Sequence, residues 1–389
     1  MKTTTRRIGT GVVTVALALV AAPAIAGNGH GGGSSTALRT ITALDGPRGV
    51  DALGHGRTLV TETGGAFSLV VEQRRKPAKV IPLGALPGGL PPAIAAGSHG
   101  SVYLLTGAAE GPPEDETPAP EALEPTEPGP AAGATLFKWR PGWSKPKPVA
   151  DIGAYQADDV DPYDLEDNPE ESNPYGLAAL RDGTVLVADA AGNDLLRVWP
   201  NGKIRTVARV LPRTVTVPEG LPDVPEEEGG PLPPAGLELP AEAVTTSVTV
   251  GKDGYWYVGE LRGFPATPGT SQIWRIKPGS VNATCDPERP RNRQCTRYAD
   301  GLTSVTDLAS GPYGIYAMSL SKMGWLSMEF GVPGSEVGGL FLVGQRKGRT
   351  YTKELLTDQL IMPGGVDVNG REIYVTGPMF GPGALMKAG

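Results

Sequence analysis

Short apolar stretches alternate with Gly-containing turns along most of the chain. The segment NPYGLAALRDGTVLVADAAGNDLLRV, from Asn173, shows the pattern: an apolar strand, a turn, a second strand rich in Val and Leu, a loop and a third strand. A strand-and-turn pattern that recurs every several dozen residues is typical of a propeller or a solenoid. Similar patterns begin at Pro47, Pro92, Thr246, Val305 and Pro363.

Six units with four strands each predict an all-β fold, a six-bladed β-propeller over residues 37–389. The sixth unit ends at ALMKAG with three strands, while ALRTITAL, from Ala37, is a spare strand ahead of the first unit. We expect this N-terminal strand to complete the last blade and close the ring, because closure removes two sheet edges.

The composition and the N-terminus support an exported all-β protein. The chain of 389 residues has 55 Gly and 39 Pro, which argues against long helices. Basic residues up to Arg7, an apolar run and the small-residue pattern Ala24-Ile25-Ala26 predict a signal peptide over residues 1–26. The apolar run is too short to span a bilayer, and no later segment is long and apolar enough. We therefore expect a flexible Gly-rich tail over 27–36 and a secreted, extracellular or envelope-associated protein.

Only two cysteines follow the predicted signal peptide, Cys285 and Cys295 in CDPERPRNRQC. Outside the cell such a pair is expected to form a disulfide that closes a short surface loop. Metal binding is disfavoured, because no His lies nearby and two thiolates alone make a poor site.

The repeated units resemble NHL-type propeller repeats. The phrases ESNPYG, VLVADAAGNDLLRV, TTSVTVGKDGYWYVGELRGFP and MPGGVDV together resemble the ScyD/ScyE family of exported proteins. Founding members of that family are associated with biosynthesis of the pigment scytonemin. The resemblance implies a propeller fold and export, with no agreed catalytic residues. The acidic insertions and Ser319, which stands where an acid is expected, depart from the family pattern.

Alignment of the units places an acid at the end of the second strand in three of them. Glu62, Asp189 and Glu260 follow equivalent positions at the same offset, and their loops share a face with Asn173, which enters blade three. One interpretation is that each acid accepts hydrogen bonds from its own loop. The other is that the four residues, Glu62, Asn173, Asp189 and Glu260, converge at the channel mouth to bind a ligand or a metal, with Ca²⁺ as the candidate cofactor.

Histidine is absent from this candidate site. His55 and His99 fall in hairpin turns on the opposite face, and His30 lies in the Gly-rich tail. The sequence therefore disfavours a Ser-His-Asp hydrolase and a His-bound zinc centre. An enzyme here would use carboxylates, Tyr, Lys, or a carboxylate-held cation.

Three acidic Pro/Glu-rich insertions, 108–134, 158–171 and 214–242, hold 22 of the 42 acids and no Lys or Arg. The strand order predicts all three on the face of the candidate site. One interpretation is that loop insertions on a single face form a binding surface for a ligand or partner. The other is that these Pro/Glu-rich segments are disordered and only keep the protein soluble. An acidic face disfavours nucleic acid and membrane surfaces as partners.

The leading hypothesis is an exported monomeric propeller that acts as a binding or scaffold protein for an unknown small molecule or envelope partner. The alternative is a divalent-metal-dependent, lactonase-like hydrolase that uses the carboxylates at the channel mouth. A third hypothesis is an envelope interaction module whose acidic loops meet cationic partners. Met323, Trp325, Met328 and Phe330 of the blade-five loop either form an apolar lip of the site or pack inward as core.

Overall fold

The computed structural model describes residues 37–87, 90–108, 133–225 and 230–389. It confirms the predicted all-β, six-bladed propeller, in which each blade is an antiparallel sheet of four strands and blade three gains a fifth. The predicted signal peptide, the Gly-rich tail and most of the first acidic insertion lie outside these ranges.

Blades one to three follow one another along the chain, and the first strand of each lines the central channel. Blade one consists of β2 (Val50–Gly54), β3 (Arg57–Thr61), β4 (Ala66–Gln73) and β5 (Lys76–Ala85). Blade two consists of β6 (Ala93–Ala96), β7 (Val102–Leu105), β8 (Thr135–Trp139) and β9 (Lys147–Asp151). Blade three consists of β10 (Pro174–Ala179), β11 (Val185–Asp189), β12 (Asp194–Val198) and β13 (Ile204–Val210).

A separate hairpin, formed by β14 (Arg213–Thr216) and β15 (Glu238–Ala241), precedes blade four within the third insertion. Blade four consists of β16 (Thr245–Val250), β17 (Trp256–Glu260), β18 (Ser271–Ile276) and β20 (Cys295–Leu302). Blade five consists of β21 (Val305–Gly311), β22 (Gly314–Ser319), β23 (Gly339–Arg346) and β24 (Arg349–Leu355). Blade six consists of β25 (Gly365–Asn369), β26 (Glu372–Gly377), β27 (Pro382–Ala388) and β1 (Arg39–Asp45).

Closure of the ring by the N-terminal strand is confirmed. β1 pairs antiparallel with β27, from Arg39 opposite Lys387 to Asp45 opposite Pro382. Glu72 of blade one forms ion pairs with Arg39 of β1, at 2.6 Å, and with Lys387 of β27, at 3.0 Å. The two strands therefore join each other and also contact the neighbouring blade.

The apolar core lies between adjacent blades. β11 is buried along its whole length, because both faces of this strand are covered by neighbouring blades. Between blades three and four, Leu186 and Leu195 belong to one buried cluster with Trp256 and Trp274. Large aromatic side chains remove about 150–250 Å² each from water, so these two indoles contribute much of the contact between the blades.

A short helix that the strand-and-turn pattern does not predict, α1 (Ile152–Asp158), connects blades two and three. Its N-cap is Asp151, whose Oδ1 accepts a hydrogen bond from the backbone N–H of Ala154 at 2.9 Å. Such a cap satisfies one of the free N–H groups of the first turn. The second helix, α2 (Trp325–Glu329), lies in the blade-five loop.

The predicted disulfide between Cys285 and Cys295 is confirmed, with a sequence separation of 10 residues. It does more than close a surface loop, since both sulfur-bearing residues are fully buried. Cys285 ends β19 (Ala283–Cys285), which pairs parallel with β13 of blade three, whereas Cys295 begins the outer strand of blade four. The bond therefore joins two neighbouring blades.

Connections between strands emerge on two opposite faces. We call the face with the blade-to-blade connections and the loops between second and third strands the loop face. The face with the hairpin turns between first and second and between third and fourth strands is the turn face. His55 and His99 lie in such hairpins, as predicted. None of the helices in the described ranges is long and apolar enough to cross a bilayer.

Candidate ligand site in the central channel

The four residues predicted from the sequence all lie at the loop face. Asp189 and Glu260 end the second strands of blades three and four, Glu62 follows the second strand of blade one, and Asn173 precedes blade three. The structure brings Asn173 next to Asp189, whereas Glu62 and Glu260 remain in the loops of their own blades. In the described part of the chain, no group of three or more His, Cys, Asp and Glu side chains is placed to hold a metal ion.

Asp189 is fully buried and bonded within its own loop. Its Oδ2 accepts a hydrogen bond from the Ser172 hydroxyl at 2.6 Å, and its Oδ1 accepts from the backbone N–H groups of Asn173 at 2.7 Å and Gly192 at 3.2 Å. Burial raises the pKa of Asp189, and these donors act in the opposite direction. The carboxyl group thus fastens the entry of blade three to the loop that follows β11.

Glu260 is also fully buried, and its partners differ from those of Asp189. It forms an ion pair with the guanidinium of Arg262 and accepts a hydrogen bond from the indole N–H of Trp274. The backbone N–H of Gln272 adds a third donor at 3.3 Å. Burial raises the pKa of Glu260, while the charge of Arg262 lowers it.

Glu62 and Asn173 are half-buried and closer to solvent. Oε1 of Glu62 accepts a hydrogen bond from the backbone N–H of Asp45, at 2.9 Å, at the end of the closing strand. Oδ1 of Asn173 accepts from the backbone N–H of Ala108, at 3.3 Å, at the edge of the first insertion. Both side chains thus contact neighbouring segments and keep part of their surface open at the loop face.

A second group of carboxyls lies beside Asp189 and was not predicted from the sequence. Asn193 donates hydrogen bonds from Nδ2 to Asp161 at 3.0 Å and to Glu242 at 3.3 Å. Asp161 belongs to the second acidic insertion and Glu242 to the third, so Asn193 connects both insertions to blade three. Burial, with the charges of neighbouring acids, raises the pKa of Glu242 to about 7.

Asp194 completes this group as a fully buried acid. Its Oδ1 accepts a hydrogen bond from Gln156 at 3.2 Å, whereas its Oδ2 has no partner in the described residues. Burial and the nearby charge of Asp189 raise the pKa of Asp194 well above its ordinary value. A buried oxygen without a donor favours the protonated acid.

Three carboxyls of the inner strands connect consecutive blades around the channel. Oδ2 of Asp307 accepts a hydrogen bond from the backbone N–H of Val366 at 2.8 Å. In the same way Asp367 accepts from Ala52 at 2.7 Å. The series continues with Asp51 in blade one, which accepts from the backbone N–H of Ala96 at 2.7 Å. Each bond runs from one blade to the next, so blades five, six, one and two are joined in sequence.

Burial sets the protonation of these channel acids. It raises the pKa of Asp307 to about 6 and that of Asp367 to about 7, and the negative charge of Asp51 adds to the effect on Asp367. Burial also raises the pKa of Asp51. At neutral pH the channel therefore contains carboxyls that readily exchange a proton or accept a hydrogen bond.

The three acids line a cavity of about 300 Å³ at the propeller axis. Thr306 also lines it, and this buried hydroxyl has no hydrogen-bond partner in the described residues. Arg48 lies at the loop-face end, with its guanidinium 3.6 Å from the centre of the Tyr175 ring. The same guanidinium donates to the carbonyl oxygens of Pro91, at 2.9 Å, and Tyr175.

A signal for the channel acids was present in the repeats. The units from Pro47, Val305 and Pro363 read PRGVD, VTDL and PGGVD, so an Asp recurs within the first strand of each. The acids that the repeats align at the ends of the second strands belong to the loops and not to the channel wall.

The blade-five loop borders a second cavity, of about 330 Å³, at the loop face. Met323 and Leu326 line it together with Pro265 and the third insertion. Met323 is exposed, whereas the indole N–H of Trp325 donates to the carbonyl oxygen of Arg262 at 2.8 Å. The loop thus presents some apolar side chains to solvent and turns others toward blade four.

Comparison with known proteins gives only distant structural likeness. No family model matches the sequence, and no curated protein matches it. The PQQ-bound aldose sugar dehydrogenase of Streptomyces coelicolor is 11% identical with a TM-score of 0.49, over 92% of this chain and 99% of that one. A catalytically inactive virginiamycin B lyase of Staphylococcus aureus, with quinupristin, is 14% identical with a TM-score of 0.44, over 90% and 99%.

A gluconolactonase of Xanthomonas campestris is 10% identical with a TM-score of 0.46, over 90% of this chain and 88% of that one. Identities and scores this low carry no argument about function. The assignment of the six-bladed fold rests on the strand order described above.

Proposed function

We propose that the protein is an exported binding propeller that holds a small polar molecule in its central channel. The observation that carries this proposal is the hydroxyl of Thr306, buried without a partner in a cavity that three carboxyls also line. A buried polar group without a partner is costly, and a ligand atom that bonds to it removes that cost.

The channel wall favours a ligand that donates hydrogen bonds. In the described residues, the single hydrogen bond that Asp51 accepts comes from Ala96, so one of its oxygens is available to the cavity. Carboxyl oxygens accept hydrogen bonds from hydroxyl and ammonium groups, and an ammonium also gains from the negative charge. A cavity of about 300 Å³ is at the small end of ligand sites, which fits a molecule of the size of a sugar.

Binding is better supported than metal-dependent hydrolysis. A catalytic metal needs about three protein ligands at one point, and the described residues provide no such group of acids or histidines. Asp189 and Glu260, nominated for that role from the sequence, have their oxygens engaged by donors of their own loops. The lactonase-like alternative therefore has less support than a binding role.

The proposal also includes export, the family resemblance and a role for the residues at the loop face. The resemblance to ScyD/ScyE proteins, carried by ESNPYG and MPGGVDV, agrees with an exported propeller without agreed catalytic residues. Of the four residues nominated at the loop face, Glu62 and Asn173 keep exposed surface and would be the first to contact a ligand that enters the channel. An envelope partner at the same face is compatible with this entry route.

Thermal unfolding with three matched open-chain sugars tests the channel proposal. Glucamine carries hydroxyls and an ammonium, glucitol carries hydroxyls alone, and gluconate carries hydroxyls and a carboxylate. We expect glucamine to raise the melting temperature most and gluconate least, since ligands that bind the native state stabilise it. Asp51→Asn removes the charge and keeps an acceptor for Ala96, so it should reduce the preference for glucamine over glucitol.

Thr306→Val is the matched control for the hydroxyl, because it keeps the shape and removes the oxygen. This variant should weaken the binding of glucamine and of glucitol to a similar extent. If gluconate stabilised most, or if no sugar raised the melting temperature, the proposed ligand chemistry would be wrong. Hydrolysis of gluconolactone that EDTA abolishes would instead favour the hydrolase.

A further inference from the structure

The turn face carries an excess of positive charge. Exposed Lys or Arg side chains lie at or beside its hairpin turns, with the exceptions of β6–β7 and β21–β22. Acids on this face are largely paired, as for Asp182 with Arg197 at 2.5 Å and Asp253 with Arg275 at 2.8 Å. The described parts of the second and third acidic insertions hold 12 acids and no Lys or Arg, and they lie on the opposite face, so the described parts of the two faces differ in charge.

Aromatic rings hold part of this positive charge in fixed positions. The Lys147 ammonium lies 4.6 Å from the centre of the Trp143 ring, and the Arg140 guanidinium lies 5.9 Å from it. Both cations belong to blade two, at the turn between β8 and β9. No ion pair engages either of them within the ranges that the structure describes.

Blades three and four repeat the arrangement. The guanidinium groups of Arg197 and Arg205 lie 5.1 Å and 5.7 Å from the centre of the Trp199 ring. In blade four the Arg275 guanidinium lies 3.2 Å from the centre of the Tyr255 ring. We call these three groups, which centre on Trp143, Trp199 and Tyr255, the aromatic–cation stripe.

Direct contacts between blades make the stripe continuous. The Tyr103 hydroxyl of blade two donates to the carbonyl oxygen of Gly183 in blade three at 3.3 Å. The β12–β13 turn approaches blade two so closely that a Cβ on Gly202 would lie 2.8 Å from the carbonyl oxygen of Val149. Arg197 also lies 5.6 Å from the centre of the Trp256 ring in blade four.

We propose that the aromatic–cation stripe is a docking surface for an anionic polysaccharide, with the loop face directed away from it. The surface extends over three blades and is not a closed pocket, which fits a polymer better than a small anion. Cations that lie against rings are already ordered, so less conformational freedom is lost when they pair with carboxylates. Aromatic side chains among them offer flat apolar surface to the C–H groups of sugar rings.

A polysaccharide fits the stripe better than a bilayer does. Insertion into a membrane interface requires a strongly apolar side to bury among the lipids. Trp143 and Trp199 are half-buried between their cations, so neither is free to serve as such an anchor. Arg197 and Arg275 are already paired with Asp182 and Asp253. The exposed Arg140, Lys147 and Arg205 form no ion pair in the described residues and are therefore available to an extended chain of anions, whereas the apolar surface of the stripe is limited.

The test measures binding of the purified mature protein to polygalacturonate, which carries one carboxylate per sugar. A triple variant, Arg140→Glu with Lys147→Glu and Arg205→Glu, reverses charge within the stripe. We expect its Kd to rise about tenfold or more, because like charges now face the polymer. Raising the salt concentration should weaken binding by the wild type, since the exposed charges are then screened.

The matched control reverses the same charge at a distant turn of the same face, through Arg346→Glu, Lys347→Glu and Arg349→Glu in blade five. It should change the Kd by less than about threefold, because screening confines the effect to nearby charges. Both triple variants alter exposed side chains, and their melting temperatures show whether folding is kept.

Three results would overturn the proposal. Equal weakening by both triple variants would mean that net charge alone attracts the polymer. Affinity for neutral dextran equal to that for polygalacturonate would show that the carboxylates of the polymer do not contribute to binding. Tighter binding to phosphatidylglycerol vesicles or to single-stranded DNA than to polygalacturonate would assign the stripe to a different polyanion. Weaker binding of polygalacturonate by the stripe variant alone would support the proposal.

Discussion

The buried Arg262, which is paired with Glu260, determines the structure of the loop after β17. Arg262 is almost fully buried and has a positive φ of 73°, which is uncommon for a residue other than Gly. Its guanidinium also donates to the carbonyl oxygens of Ala241, at 3.2 Å, and Glu242, at 3.1 Å. The pair therefore ties the loop after β17 to the end of the third insertion.

Removal of the arginine alone should be costly. Arg262→Met leaves the charge of Glu260 buried without its partner, and we expect a loss of about 3–5 kcal/mol in the free energy of unfolding. Urea denaturation measures this loss. The double variant with Glu260→Gln removes both charges and should recover much of the stability. An equal loss in the double variant would show that packing, and not the charge, holds this loop.

Sequence repeats could place Glu260 and Asp189 at equivalent positions but could not reveal their partners. The position follows from counting residues along a strand, whereas the donors come from different elements in each case. Asp189 meets a serine and two backbone N–H groups, and Glu260 meets an arginine and an indole. Whether these acids fasten their own loops or bind a ligand therefore depends on long-range contacts, which a local sequence pattern does not reveal.

Among the elements, β19 and its disulfide give the clearest departure from the repeat. The strand adds to the outer edge of blade three although it lies in the sequence of blade four. Cys285 and Cys295 are buried in the same cluster as Trp256 and Trp274. The disulfide thus links the extra strand on blade three to the outer strand of blade four.

Loss of this disulfide should destabilise the contact between the two blades. For Cys285→Ala with Cys295→Ala we expect a loss of about 2–4 kcal/mol, because the unfolded chain gains freedom. Chemical denaturation of the wild type and the double variant measures it, and a reductant should lower wild-type stability toward that of the variant. If the reductant also destabilised the variant, the effect would not come from this bond.

Strand counting was enough to predict closure by β1, because a sixth unit with three strands requires a partner. It was not enough to predict β19, whose parallel pairing with β13 joins segments far apart in the sequence. Helix α1 was missed for a related reason, since its seven residues lie at the border of an acidic insertion. Local patterns identify units of the fold, while exceptions to the repeat depend on long-range pairing.

At the scale of the whole molecule, buried acids make stability depend on pH. The pKa is raised to about 6 for Asp307 and to about 7 for Asp367 and Glu242, chiefly by burial. A raised pKa in the folded state means that folding favours the protonated acid. The resulting stabilisation is complete below about pH 4 and is lost as the pH rises through 6 to 7.

The melting temperature should therefore be higher at pH 5 than at pH 8. Scanning calorimetry at constant ionic strength measures the difference. Asp367→Asn imitates the protonated acid and keeps an acceptor for Ala52, so it should reduce the change with pH. A melting temperature that rises from pH 5 to pH 8 would contradict the pKa shifts of these acids.

Pairing of β1 with β27 also has a consequence for the order of events during synthesis. The first strand of the propeller to leave the ribosome must wait for the last one before it finds its partner in the sheet. All blades between them can form earlier, but the ring stays open and two strand edges stay unpaired until the C-terminal residues arrive. Closure of the ring therefore depends on contact between strands from opposite ends of the propeller sequence.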